Sequence, residues 1–144
     1  MSEYTVRDAK VVYTGRAMKI SVSHPRDVAD FVRRKIGRAA REHFFTIWLD
    51  GRNRPLASDL VSIGTATASL VHPAQIFQGP LIAGACSIIM AHNHPSGVSS
   101  PSSEDKEVTE RLAEVGKIVG VRLLDHVIVG RADYYSFSEA GGID

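Results

Sequence analysis

Residues 86–105 read CSIIMAHNHPSGVSSPSSED, and they combine a predicted strand with donor groups for a metal ion. The run at 86–90 is short and apolar and is followed by turn residues, which is typical of a buried strand. His92 and His94 stand two residues apart at the end of this strand, so both imidazoles leave the backbone on one face. Two imidazoles on one face can bind the same ion.

A third donor, Asp105, is expected to return to the histidines through the Pro/Ser/Gly loop. Ser102 has the character of a helix N-cap, with Glu104 and Asp105 in the first turn, where carboxylates suit the positive end of the helix dipole. Two imidazoles and one carboxylate leave a fourth zinc position open, as catalytic zinc sites do. The same donors also describe a non-haem iron site, and the plain alternative is a capped loop with two surface histidines.

The spacing of His92, His94, Ser102 and Asp105 resembles the JAMM (MPN-type) metalloprotease pattern. Together with HPSG after His94 and LDHVIVG at 124–130, it is similar to the bacterial RadC-like branch, from about residue 23 to residue 140. The resemblance implies a JAB/MPN-like, cytidine-deaminase-like α/β fold, with a central mixed β-sheet flanked by helices in a single domain. It also implies one zinc ion per chain, held by the two histidines and Asp105.

The same resemblance implies a hydrolase that cleaves an amide or isopeptide bond in a peptide or protein conjugate. The pattern places a glutamate just before the first core strand, and Glu42 matches that place. Glu42 is expected to take a proton from the zinc-bound water and pass it to the leaving amine, without binding zinc. The alternative for Glu42 is a solvated residue at a strand end. Ser102 either stabilises the oxyanion or only caps its helix.

Two other functions stay open. RadC-like proteins commonly carry an N-terminal helical, DNA-binding-like region, and we expect this chain to be a stand-alone version without it. A DNA-repair-associated, nucleic-acid-binding module is the first alternative. A metal-binding but inactive scaffold is the second, because Ala74-Gln75 follow His72-Pro73 where relatives commonly carry an acidic residue.

Composition narrows the class of protein. A chain of 144 residues with 44% hydrophobic and 23% charged residues suits one globular domain. No apolar run reaches the ~20 residues that a membrane span needs, and the N-terminus lacks a signal pattern. We therefore expect a cytoplasmic protein with no membrane partner. The single cysteine, Cys86, excludes an internal disulfide and is interpreted as a small buried hydrophobic residue.

Charge is unevenly distributed along the chain. Residues 1–72 carry 12 Lys/Arg against 7 Asp/Glu, whereas residues 73–144 carry 5 against 9. The basic excess concentrates in residues 33–41, RRKIGRAAR. This run favours a solvated helix end over a nucleic-acid surface, because no aromatic residues interleave with the charges to stack on bases.

The remaining pattern predicts the order of elements. We expect N-terminal strands within residues 1–22, at 9–13 and 17–22, a RadC-like domain over 23–140 and a tail at 141–144. Within the domain, helices are predicted at 25–34, 73–82 and 102–119, strands at 43–50, 56–63, 86–90, 121–129 and 134–137, and an extended segment at 64–71. Asp125 and His126 interrupt an apolar strand, so at least one of them is expected to be buried with a hydrogen-bond partner. His126 is not taken as a ligand.

Overall fold

A mixed β-sheet lies at the centre of the protein, and the computed structural model describes residues 2–37, 40–64 and 71–144. The strands are β1 (His43–Leu49), β2 (Pro55–Ile63), β3 (Ser87–Asn93), β4 (Arg122–Val129) and β5 (Tyr134–Ser136). The helices of the described residues are α1 (Pro25–Ile36), α2 (Pro73–Ala83) and α3 (Ser103–Val119). Their arrangement confirms the predicted α/β domain with a mixed sheet and flanking helices.

The strand order is β2-β1-β3-β4-β5, in which β3 and β4 run parallel and the other neighbours run antiparallel. The β3–α3–β4 unit is therefore the parallel crossover of the fold, with a helix between two neighbouring parallel strands. Strands β1 and β3 occupy the middle of the sheet, where both faces are covered by other elements. This explains why burial is continuous along both strands and does not alternate from one residue to the next.

Two apolar clusters lie on opposite faces of the sheet. On β1, Phe44 and Trp48 pack in the cluster that includes residues of α2 and α3. Phe45 and Ile47 point the other way, into the cluster that includes Phe31 and other residues of α1. The sheet is thus covered by α1 on one face and by α2 and α3 on the other.

Strand parity decides which helix meets the histidines. His92 has the same parity as Ile88 and Met90, whose side chains belong to the α3 side of the sheet. On α3 itself, Asp105 and Thr109 are one turn apart and both are buried. The end of β3 and the start of α3 therefore face each other across the core.

Helix ends follow the sequence predictions closely. The Ser102 hydroxyl accepts a hydrogen bond from the Asp105 amide at 3.0 Å, and the Asp105 carboxylate accepts one from the Ser102 amide at 2.9 Å. This reciprocal pair is a capping box. Gly120, in the left-handed conformation with φ of 80°, ends α3. His24 is the N-cap of α1, and its ring nitrogen Nδ1 accepts a hydrogen bond from the Arg26 amide.

The predicted N-terminal strands at 9–13 and 17–22 are wrong. Neither segment is a strand in the structure, and residues such as Val12, Tyr13 and Met18 are exposed. Their alternating pattern suits a hairpin, but a hairpin of two strands is marginal unless it joins a sheet or packs on a helix. The extended segment predicted at 64–71 lies largely outside the described residues.

The interpretation of Cys86 as a buried residue is also wrong, because its side chain is exposed. The strand β3 begins one residue later, at Ser87, and runs to Asn93 rather than ending at Met90. Cys86 therefore precedes the buried part of the strand, at the opposite end from the histidines. Across the described ranges, no helix has both the length and the apolar character that crossing a bilayer requires.

Candidate metal centre

Four ligating side chains converge where β1, β3 and α3 meet. Glu42, His92, His94 and Asp105 each offer one donor atom, and these atoms all lie within 4.8 Å of one another. Glu42 directly precedes β1, whose Phe44 pairs with His92 of β3. His94 follows β3, and Asp105 lies in the first turn of α3. The antiparallel β1–β3 register and the β3–α3 connection thus bring together residues that are up to 63 positions apart.

The closest donors form a compact triangle. His92 Nε2 lies 3.1 Å from His94 Nε2 and 3.2 Å from Asp105 Oδ1, and His94 Nε2 lies 3.1 Å from Asp105 Oδ2. Zinc binds such atoms at about 2.1 Å, so tetrahedral ligands around one ion lie about 3.4 Å apart. The observed separations are close to this spacing, and the donor set fits a cation with three protein ligands.

The loop after β3 orients the His94 ring. His94 Nδ1 lies 2.7 Å from the carbonyl oxygen of Val98, which can only accept a hydrogen bond. The ring hydrogen of neutral His94 is therefore on Nδ1, and the Nε2 lone pair is directed at the cluster. This is the tautomer that a metal ligand needs.

Asp105 is held as a carboxylate despite its burial. Burial raises the pKa of its carboxyl group. Two neighbours outweigh that effect: His92 lowers the pKa through a hydrogen bond and through its charge when protonated, and Ser102 lowers it through hydrogen bonds. The net result is a pKa well below the ordinary value of 3.8. An ionised, buried carboxylate beside two imidazoles suits a divalent cation, which would compensate its charge.

Glu42 is at the edge of the cluster. Its Oε1 lies 3.3 Å from His92 Nε2, and its side chain is 14% exposed, whereas His92 is fully buried. The side chain of Asn93 fixes the backbone on both sides of Glu42: its amide oxygen accepts from His43 N at 2.7 Å, and its amide nitrogen donates to Arg41 O at 3.1 Å. Asn93 therefore sets where the Glu42 carboxylate can reach.

Asp125 and His126 are both buried and both have partners, which confirms the expectation for this strand. The Asp125 carboxylate accepts from the Ser136 hydroxyl and from two backbone amides, and burial raises its pKa. His126 Nε2 lies 2.7 Å from His92 Nδ1, and its other ring nitrogen contacts Thr109. Burial, reinforced by the neighbouring His92, holds the pKa of His126 well below 6.5, so this ring is neutral.

A cleft of 620 Å³ opens beside the cluster. Its walls include His94, Arg33 and Arg131 together with the glycines at 97 and 130. The Arg33 guanidinium donates to the carbonyl oxygens of Gly130 and Asp133, at 3.3 and 2.7 Å, so it ties α1 to the turn after β4. Arg33 thus has a structural contact, whereas the next two basic residues of the 33–41 run, Arg34 and Lys35, are exposed at the end of α1.

The structure brings together every residue that the sequence pattern singled out for metal binding or catalysis. The three predicted ligands form the triangle, Glu42 adjoins it, and Ser102 caps α3 next to Asp105. Sequence reasoning missed Asn93 and Thr109. Asn93 stands between the two histidines, and Thr109 follows Asp105 by four residues on the buried face of α3, so strand and helix spacing carried a signal for both.

Comparison with known proteins agrees with the family resemblance of the sequence. A family model described as the RadC-like JAB domain matches residues 22–142. Proteins named UPF0758 are similar to this chain: that of Rubrobacter xylanophilus is 46% identical over 83% of the chain, and that of Methanosarcina mazei is 44% identical over 85%. These matches cover 52% and 54% of the relatives, so the chain spans about half their length. The chain belongs to the RadC-like JAB domain family.

Proposed function

We propose that this domain is a zinc-dependent hydrolase of the JAMM type, which cleaves an amide or isopeptide bond in a peptide or protein conjugate. The observation that supports it best is the convergence of two imidazoles and two carboxylates, because one of these groups, the His94 imidazole, also lines a cleft. His94 both contributes a donor and lines the cleft, so a bound carbonyl group can approach the cluster from that side.

His92, His94 and Asp105 are the residues that would hold the ion. Their donor atoms are imidazole nitrogen and carboxylate oxygen, which zinc accepts, and a set of three leaves a position for substrate or water. Zinc supplies a Lewis acid there, which polarises a carbonyl group and makes the loss of a proton from water easier. Iron(II) accepts the same donors, so metal analysis is part of the test.

Glu42 is proposed as the general base and acid. Its carboxylate lies beside the three donors, with Oε1 3.3 Å from His92 Nε2, and it is partly exposed. A carboxylate in that place can accept the proton of an attacking water molecule. It can then deliver that proton to the leaving amine nitrogen when the C–N bond breaks. The hydrogen bonds of the Asn93 side chain to His43 N and Arg41 O hold the backbone at Glu42 in one position for both proton transfers.

Ser102 is proposed to stabilise the oxyanion. Its hydroxyl is at the N-terminus of α3, one turn before Asp105, where the helix dipole favours negative charge. Hydroxyl groups and helix N-termini are among the groups that stabilise developing oxyanions. The two roles are compatible. The hydroxyl oxygen accepts the hydrogen bond of the cap, and the hydroxyl hydrogen can be donated to the oxyanion.

The test compares metal content with turnover. Purified protein is loaded with zinc and screened against peptides and isopeptide-linked conjugates, and its metals are measured by elemental analysis. We expect one zinc ion per chain, lost in His92→Ala. Glu42→Gln should keep the zinc and lose about 10²-fold or more in kcat, the typical contribution of a general base.

Glu104→Gln is the matched control, because Glu104 is an exposed carboxylate one residue before Asp105. It should retain both zinc and turnover. Full activity of Glu42→Gln would assign the base elsewhere, and full activity of protein that contains no metal would end the metallohydrolase proposal.

A further inference from the structure

A continuous line of hydrogen bonds connects the backbone of α3 to the ring of His92. The Thr109 hydroxyl donates to the carbonyl oxygen of Asp105 at 2.7 Å, and the same Oγ1 lies 2.6 Å from His126 Nδ1. The other nitrogen of that ring, Nε2, lies 2.7 Å from His92 Nδ1. Thr109, His126 and His92 are all buried.

The donors and acceptors along this line can be assigned from its end. A carbonyl oxygen only accepts, so the single hydroxyl hydrogen of Thr109 is directed at Asp105 O. Thr109 Oγ1 then accepts from His126 Nδ1–H. A neutral imidazole carries one ring hydrogen, so His126 Nε2 is an acceptor and His92 Nδ1 must be the donor. In a neutral His92 ring the lone pair is then on Nε2, the nitrogen that faces His94 and Asp105.

We propose that Thr109 and His126 are positioning residues that fix His92 in the tautomer with hydrogen on Nδ1, which is the tautomer able to bind a metal through Nε2. The proposal deepens the proposed function, on which it rests for the role of His92 as a ligand. The line of hydrogen bonds that selects the tautomer is present in the metal-free chain and is independent of any hydrolysis.

The reverse direction of the line is unfavourable at the Thr109 hydroxyl. If the Thr109 hydroxyl donated to His126, its oxygen would face Asp105 O at 2.7 Å with no hydrogen between them. His126 would then donate through Nε2, and His92 would carry its hydrogen on Nε2, where the ion has to bind. The backbone of Asp105 thus selects the direction, so one residue of α3 supplies a ligand and also sets the tautomer of another.

Aromatic rings lie against both imidazoles of this line. Phe44 stacks on His92 with ring centroids 5.7 Å apart, and Phe137 stacks on His126 at 5.1 Å. Apolar rings therefore cover the two imidazoles, and removal of the hydroxyl at 109 would take away the acceptor that the structure gives the buried His126 Nδ1–H. An unsatisfied buried donor is costly, so the preference of His126 between its two tautomers would change.

The first experiment compares zinc affinities of Thr109→Val and Thr109→Ser by competition with a chelator. Valine keeps the shape of threonine without the hydroxyl, and serine keeps the hydroxyl. We expect valine to weaken zinc binding about 10- to 100-fold, as loss of a hydrogen bond behind a ligand does, and serine to restore it to within about threefold of wild type. Equal zinc affinity of the valine variant and the wild type would overturn the proposal.

The second experiment is heteronuclear NMR of the histidine ring nitrogens in metal-free wild-type protein near neutral pH. The expected spectrum shows a hydrogen on Nδ1 of His126 and a hydrogen on Nδ1 of His92. A hydrogen on His126 Nε2 would overturn the proposal, even if the valine variant does not fold. Thr109→Val should shift the tautomer of His126, which a purely structural role would not do. A protein that passes both tests and hydrolyses no conjugate would refute only the hydrolase.

Discussion

Ser102 shows how a single hydroxyl can be tested for two roles. Its oxygen accepts a hydrogen bond from the Asp105 amide at the start of α3. Loss of such an N-cap typically lowers protein stability by about 1 kcal/mol. Ser102→Ala should therefore lower the free energy of unfolding by about 1 kcal/mol in urea denaturation. Ser102→Asn should recover it, because asparagine caps as well as serine.

Turnover of these two variants separates capping from catalysis. If the hydroxyl stabilises the oxyanion as proposed, Ser102→Asn regains stability but stays slow. An asparagine variant with wild-type kcat would limit Ser102 to its capping role.

Burial of a neutral His126 predicts a pH dependence of stability in the metal-free protein. Its pKa is lowered in the folded state, so below the ordinary value of 6.5 the unfolded chain takes up a proton that the folded chain does not. The stability that the neutral His126 ring contributes is therefore fully present above pH 6.5 and is lost progressively as the pH falls below that value. We expect the free energy of unfolding to fall by up to about 1.4 kcal/mol per pH unit as the pH falls below about 6.5.

The contribution of this ring is isolated by comparison with His126→Gln. That variant should be less stable overall but should show a shallower slope in denaturation series over the same pH range. Equal slopes in the two proteins would contradict the assignment of a neutral, buried imidazole.

On the scale of elements, the C-terminal end of helix α3 packs closely against the backbone that follows it, at Gly116. A Cβ added to Gly116 would lie 2.5 Å from the carbonyl oxygen of Val121, which is backbone and cannot turn aside. Gly116→Ala should therefore destabilise the protein by about 1–3 kcal/mol, although alanine favours a helix. The measurement is equilibrium denaturation, with Glu107→Ala on the exposed face of α3 as control, expected within about 0.5 kcal/mol of wild type. An unchanged or raised stability of Gly116→Ala would contradict the observed packing.

The same helix shows how well local sequence signals predict an element. The predicted bounds of α3, 102–119, agree with the observed ones within one residue, because the Ser102 cap and the left-handed conformation of Gly120 are local features. The strand pattern at 9–13 and 17–22 was equally local, and it failed. Whether a short alternating segment becomes a strand depends on a partner elsewhere in the chain, which the segment itself does not encode.

On the scale of the molecule, the metal site links β1, β3 and α3, so an ion bound there should stabilise the whole fold. A ligand that binds only the folded state stabilises it by about 2.7 kcal/mol at a free concentration 100 times its Kd. Zinc at that excess should raise the free energy of unfolding of wild type by this amount in denaturation experiments. It should have no such effect on His92→Ala.

His72→Ala is the matched control for general zinc binding to histidine, since His72 is exposed and lies outside the donor cluster. This variant should gain as much from zinc as the wild type does. Equal stabilisation of His92→Ala would show that the ion binds elsewhere.

The candidate site was more predictable than the sheet that carries it. The spacing of His92, His94 and Asp105 indicated a shared ion, and the family resemblance added Glu42. No local pattern gave the strand order or the register that sets Phe44 opposite His92. The contact between His126 and Thr109 joins two elements through side chains and is equally invisible in a single sequence. Periodicity reports which face of an element is buried, but not which neighbour covers it.

The exposed thiol of Cys86 is a site for specific covalent labelling of the domain. It precedes Ser87, whereas the histidines lie at and beyond the other end of β3, a distance of about 20 Å along the strand. A fluorophore or surface tether attached there would leave the cleft open, and the chain has no second cysteine to compete for the label. The free thiol is also a stray site for soft metals. A Cys86→Ser background would therefore give the cleaner stoichiometry in metal titrations.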